Sequence, residues 1–412
     1  MSRIVRPPAG VVVAAAAIVL HLLDDNLVEP GWGDATGHLA STLVPVAIVV
    51  ALAFASVAER LRPGGRAIAS LAVGFLGVTF SFEAVQHYAT EGLARDDWTG
   101  LASLAGGLFL LGRGARDLWR SRRQDEPRRR RYARRALKTG AALVVAVNVA
   151  FPIADAYIGV NMARRTVPAA HLGVGHEDVS FRSTDGLRLA GWYVPSTNRA
   201  AVIVYPGRGG TQQHARMLID HGYGVLLLDH RGVGDSEGDH NSWGWGSEHD
   251  IHGAVAFLQE RPDVDPDRIG GLGLSVGEEV LLHAAAENEG LHAVVSEGAG
   301  ARSWSEFRHG DGPGPWIWAP VTINRQIATS VLANRMPPPG LHGLVPRIEA
   351  PLFFIHATDG VGGEELTLDY HRLARGPKQL WQTAGGHTRG IDTEPGAYER
   401  KVTDFLDDAL LG

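Results

Sequence analysis

The chain has 412 residues, a net charge of -6 and no cysteine. This length allows two or three domains, and the mildly acidic balance gives no reason to expect a nucleic-acid partner. The lack of cysteine excludes disulfides, thiolate metal sites and a cysteine nucleophile.

The first 160 residues are rich in Ala, Val and Leu. Five apolar segments stand out, at roughly 9–23, 39–57, 67–82, 99–111 and 140–160. A helix needs about 20 residues to cross the hydrocarbon layer. The second segment meets this best, and the first and fourth need flanking residues to complete a span. The expectation is an all-α transmembrane region over residues 1–162 with about five spans. Arg3 and Arg6, the run 59–66 and the arginine-dense stretch 113–138 alternate with acidic loops. Basic loops stay in the cytoplasm, so five spans predict a multi-pass cell-membrane protein with an extracytoplasmic C-terminal domain. The fifth segment contains Asn148, Pro152 and Asp155. It could instead lie on the membrane surface, which would leave that domain in the cytoplasm.

His21, Asp24, Asp25, His38, Glu83 and His87 fall near the expected outer surface. They are read as interfacial polar residues, with a metal or ligand site as the alternative. The arginines of 113–138 are read as a topology signal, with anionic lipid headgroups as a second possibility. Membrane lipid is the expected partner of this region.

Residues 163–176 read as a linker, and the rest, 177–412, as one α/β domain. Two alternating runs flank Asp185-Gly186, a hairpin signal. Apolar strand patterns follow at 201–205, 224–228, 269–274, 291–296, 351–356 and 378–382. Helical patterns lie between them, at 212–221, 246–261, 276–287, from 364, and at 398–411. This alternation predicts a mostly parallel sheet with helices on both faces and an antiparallel edge at the hairpin.

The chemistry centres on Gly273-Leu-Ser275-Val-Gly277, between a strand and a helix. A serine that attacks a carbonyl must stand clear of the backbone on a tight turn. Glycines two residues to either side make room for that turn. Helix start also places the N–H of Val276 near a developing oxyanion.

Four stretches together resemble the α/β-hydrolase superfamily, in its serine aminopeptidase, acylaminoacyl-peptidase-like and esterase branches. They are Gly273–Gly277, Asp229-His-Arg-Gly232-Val-Gly234-Asp-Ser236-Glu-Gly238, Ile355-His-Ala-Thr-Asp359 and Ala384-Gly-Gly-His387. The likeness covers roughly residues 177–410. It implies Ser275 as nucleophile, His387 as general base and Asp359 as the acid that orients it. Glu364 and Glu365 stand close enough to replace Asp359. The backbone N–H groups of Val276 and Arg208 would form the oxyanion hole. Asp229, Arg231 and Asp235 are read as structural. An insertion at about 301–348, with Trp304, Trp316 and Trp318, would form a lid lining an apolar pocket, or a surface excursion with buried tryptophans.

The expected function is a membrane-anchored serine hydrolase acting on a small ester, lipophilic in character, with no metal or organic cofactor. A membrane-bound peptidase and a catalytically silent binding protein are the competing readings. Oligomeric state is not legible in the sequence.

Overall fold

The computed structural model describes residues 7–24, 51, 54, 60–92, 97–120, 127–161, 167–208, 210–287, 290–309, 313–360 and 364–412. The chain divides into two compact units. One comprises Met1–Ala163 together with Pro320–Arg335, the other Arg164–Ala319 together with Met336–Gly412.

The first unit is helical among its described residues. Helices span Ala9–Leu23, Pro63–Phe80, Phe82–Glu91 and Asp97–Arg120. A longer one spans Arg128–Val160. Glycines set its packing. A Cβ on Gly74 would lie 2.8 Å from the Gly107 carbonyl oxygen, and one on Gly107 would lie 2.8 Å from the Gly74 oxygen. The two backbones therefore touch, a small-residue interface of the kind membrane helices use. Ser103 Oγ adds a 3.0 Å hydrogen bond to Gly77 O.

Pro63–Phe80 and Arg128–Val160 are long and apolar enough to cross a membrane. Ala9–Leu23 is apolar but has only 15 residues. The segment expected at 99–111 belongs to the 24-residue helix Asp97–Arg120, whose second half holds Arg113, Arg116, Asp117 and Arg120. Most of the segment 39–57, and Asp25 and His38, lie outside the described residues. The expected five spans thus reduce to two helices of sufficient length and apolarity among the described residues.

The second unit is built on an eight-stranded sheet in the order β1-β2-β4-β3-β5-β6-β7-β8. The strands are β1 Glu177–Arg182, β2 Arg188–Val194, β3 Ala201–Tyr205, β4 Gly224–Leu228, β5 Ile269–Leu274, β6 Ala293–Glu297, β7 Leu352–Ala357 and β8 Lys378–Thr383. The β1–β2 hairpin is antiparallel, and β2 joins β4 antiparallel. All later pairs are parallel. The short apolar runs of β3 to β7 are the pattern of strands covered on both faces. Successive residues feed opposite cores: Ile203 and Tyr205 pack in one, Val202 and Val204 in the other. Because β4 flanks β3 on one side and β5 on the other, the chain's winding reverses there. In open sheets of this kind, a reversal of winding is where loops at the carboxyl ends of the strands diverge and ligands bind.

The insertion before β7 carries short helices at Trp304–Phe307 and Leu341–Leu344 and a long one at Gly314–Leu332. Trp316 and Trp318 are 67% and 50% exposed, so neither is a buried tryptophan of a pocket wall.

Candidate active site

The turn after β5 follows the local logic of its sequence. Ser275 takes φ of 54°. That left-handed conformation is strained for a residue with a side chain. Its N–H donates to Glu297 O at 2.9 Å, which fixes the turn to the end of β6. The flanking glycines are required by contact. A Cβ on Gly273 would lie 2.6 Å from Glu278 Cα, and one on Gly277 would lie 2.7 Å from Tyr205 O. The helix Val276–Glu287 starts at once, and its first N–H groups have no partner within the helix.

His387 follows β8 and reaches back to this turn. Its Nε2 lies 2.9 Å from Ser275 Oγ, and its Nδ1 lies 2.6 Å from Glu364 Oε1. The Glu364 side chain is only 3% exposed. The hydrogen bond from the imidazole to Glu364 is the main cause that raises the His387 pKa above its ordinary value, against a smaller opposing effect of burial.

Asp359 does not occupy the acid position. It sits exposed on the turn just past β7, with its N–H 3.4 Å from Gly385 O. The chain runs five residues further before Glu364 turns its carboxylate back under the strand end. There Glu364 Oε2 accepts from Ala357 N–H at 3.4 Å. Gly360 makes this return possible, since a Cβ there would lie 2.4 Å from Glu364 Cγ. The signal was present in the sequence as glycines 360, 362 and 363 directly before Glu364. Gly298 (φ 88°) makes similar room for the imidazole, because a Cβ there would stand 2.9 Å from His387 Cε1.

Arg208 lies in the loop after β3. Gly207 shapes that loop with φ of 101°, and a Cβ on it would overlap Leu228 O. The Arg208 guanidinium is 5% exposed and is taken up internally. Its Nε donates to Asp229 at 2.9 Å, its Nη2 reaches Asp229 and Asp235, and it lies 5.2 Å from the Trp192 ring centre. It is therefore committed to bracing the loop rather than to a substrate anion. Arg231 does the same below, with Asp185 at 2.8 Å and Asp250 at 2.6 Å.

Buried carboxylates surround the site, and sequence reasoning passed over them. Glu297 accepts from Gly390 N–H at 2.9 Å and from Tyr398 O–H at 2.8 Å. It thus ties the loop after His387 to the strand whose carbonyl holds Ser275. Glu279 accepts from Gly300 N–H at 3.0 Å and has Arg302 Nε at 3.6 Å. Burial pushes its carboxyl up to about 8. Glu278 is bonded to Ser296 Oγ, and burial raises it as well. Among the described residues no group of three or more acidic, histidine or cysteine side chains could hold a metal ion.

Comparison with known proteins gives likenesses over parts of the chain. The model of the X-Pro dipeptidyl-peptidase (S15) family matches residues 161–342. A polyketide transferase of Stachybotrys chlorohalonatus is 36% identical over 130 residues, which are 29% of this chain and 43% of that protein. The chain thus matches less than half of that relative's length. The uncharacterised protein YfhR of Salmonella typhimurium is 27% identical over 252 residues, 56% of this chain and 80% of that one. A solved esterase of Pyrococcus furiosus superposes with a TM-score of 0.49 at 21% identity, covering 61% of this chain and all of the other. Over residues 161–342, fewer than half of the chain, the sequence is thus similar to the X-Pro dipeptidyl-peptidase family.

Proposed function

We propose that the chain is a membrane-anchored serine hydrolase that cleaves a lipophilic ester through an acyl-Ser275 intermediate. The observation that carries this reading is the continuous hydrogen-bonded line Ser275–His387–Glu364. Ser275 Oγ attacks the carbonyl carbon while His387 Nε2 takes its proton. Glu364 holds Nδ1–H and offsets the charge that forms on the ring. Backbone N–H groups of Val276 and Arg208 face the negative oxygen of the tetrahedral intermediate. Collapse expels the alcohol, which receives the proton from Nε2. Water then repeats the sequence on the acyl-enzyme and frees Ser275. The anchor is supplied by the apolar helices of the first unit, and the arginine pattern puts the hydrolase unit outside the cytoplasm.

A peptidase acting through the same steps is the second reading, favoured by the match to the X-Pro dipeptidyl-peptidase family. Labelling of intact cells with a membrane-impermeant fluorophosphonate tests the main reading. The expected result is strong labelling that disappears in Ser275→Ala, with ester turnover falling on the order of 10^4-fold or more. Labelling only after lysis would reverse the topology. No Ser275-dependent labelling of the folded protein would remove the hydrolase reading. Faster turnover of aminoacyl amides than of matched esters would favour the peptidase.

A further inference from the structure

We infer that the insertion helix Gly314–Leu332 is a lipid-facing element whose exposed apolar row lies in the acyl layer of a bilayer. The inference rests on the reading of the chain as a membrane-anchored hydrolase, and it assigns part of the hydrolase's own insertion to the membrane.

The polarity of this helix is the reverse of a water-soluble one. Ile323, Ile327 and Val331 recur every four residues, so they share a face, and Trp316 falls on the same side two turns earlier. All four are exposed, at 37%, 57%, 38% and 67%. The opposite face holds two buried hydroxyls, Thr322 and Thr329, beside Trp318, which is 50% exposed one turn earlier. A helix that turns isoleucines outward and threonines inward is matched to an apolar solvent.

The same helix departs from the unit its neighbours in sequence belong to. Pro320–Arg335 groups with Met1–Ala163. Asn324 Nδ2 donates to Asn148 O at 2.6 Å, and Arg325 Nη1 lies 3.7 Å from Asp155 Oδ2. Both partners belong to the long helix Arg128–Val160. Asn148 sits in a π-helical turn, Ala146–Ala150. Such a turn loosens the regular ladder and leaves carbonyls available to a side chain. This accounts for Asn324, whose side chain serves a helix-to-helix bond of a kind suited to a low-dielectric setting, while the Asn148 side chain donates to Val144 O of its own helix at 2.9 Å.

The long helix shows the same outward apolarity. Leu143, Val144, Val147, Phe151 and Ile153 are all exposed. The two helices, tied together through polar groups, thus each turn apolar side chains outward. The run Arg128–Arg131, with Arg134, Arg135 and Lys138, precedes the apolar stretch on the same helix. That is the arrangement of a span meeting anionic headgroups, and it selects a lipid layer over a second protein as the occupant.

The absence of cysteine makes the test direct. Single variants Ile323→Cys and Ile327→Cys carry an environment-sensitive fluorophore, with Arg375→Cys on the exposed surface of the other unit as reference. The full chain is reconstituted in phosphatidylcholine–phosphatidylglycerol vesicles. Nitroxide-bearing lipids are expected to quench the labels at 323 and 327 several-fold while aqueous iodide leaves them bright. The label at 375 should show the opposite pattern. Labels at 323 and 327 that respond to iodide as 375 does, and ignore the nitroxide lipids, would overturn the inference. So would shielding from both quenchers accompanied by self-association, which would give the row to a second copy. Val331→Cys replaces either variant if it fails to fold. Readings are repeated in a Ser275→Ala background. Nitroxide quenching without Ser275-dependent probe labelling would uphold the lipid-facing helix and sink the hydrolase reading. Labelling without quenching would remove only this inference.

Discussion

The 2.6 Å contact between His387 Nδ1 and Glu364 Oε1 has a consequence that can be measured against pH. A buried carboxylate beside the imidazole favours its protonated form, and the His387 pKa is raised accordingly. Only the neutral ring can accept the Ser275 proton. Activity should therefore fall as pH drops through that raised value, with the acid limb of kcat/KM centred above the ordinary histidine value of about 6.5. Glu364→Gln keeps the shape but removes the charge. It should move the acid limb to lower pH and reduce kcat on the order of 10^3- to 10^4-fold. Asp359→Asn, on the exposed turn, should leave both close to wild type. A pH–rate series on a soluble ester separates the two. A large loss at Asp359 with little change at Glu364 would restore the strand-end aspartate as the acid.

At the level of elements, the strand–turn–helix around Ser275 is over-determined by backbone contact, and this is why it could be read early. Glycine is the only residue that fits at Gly273 and Gly277, so the motif is a record of sterics as much as of chemistry. Gly277→Ala would push a methyl group against the Tyr205 carbonyl. The expected cost is about 1–3 kcal/mol of stability, since that backbone cannot yield cheaply. Because Tyr205 leads directly into the Arg208 loop, kcat should fall more than KM rises. Gly343→Ala, whose Cβ would meet nothing within 4 Å, is the matched control and should be near neutral. Chemical denaturation alongside steady-state kinetics checks both. The strands were legible for a related reason: β3 and β4 are continuous apolar runs ended by Pro206 and Asp229, and β5 alternates apolar residues with glycines up to Ser275. Glu364 was harder, because Asp359 directly follows the strand in sequence and it is nevertheless the Glu364 carboxylate that meets His387. The insertion helix was harder still. Its Pro, Gly and Trp content reads as pocket wall or as a surface excursion with buried tryptophans, and nothing in that content foretells that Trp316 and Trp318 are exposed.

For the whole molecule, the buried acids set how stability responds to pH. Glu278, Glu279 and Glu297 are each raised by burial, with Arg302 the nearest compensating cation for Glu279. A carboxylate whose folded pKa is raised holds a proton that the unfolded chain releases. Its stabilising contribution is complete below the unfolded value of about 4.3 and is lost as pH rises through the folded value, about 8 for Glu279. His387 is raised too and acts in the same direction. Asp263, lowered by its bonds from Tyr193 and the Ser196 N–H, acts in the opposite direction, but its window lies below the ordinary aspartate value. Burial lowers His214 to about 4 and lowers His283, His342 and His371 as well, and these act in the opposite direction up to the ordinary histidine value. The thermal midpoint of the second unit should therefore decline between about pH 6.5 and about pH 8, and Glu279→Gln should flatten the decline. Melting curves at constant ionic strength test this. A midpoint that rises over the same range, unchanged by the substitution, would mean that Arg302 keeps Glu279 ionised. The acids would then be a charged frame beneath the nucleophile instead of a protonated one, and the electrostatic setting of Ser275 would have to be argued again from that charge.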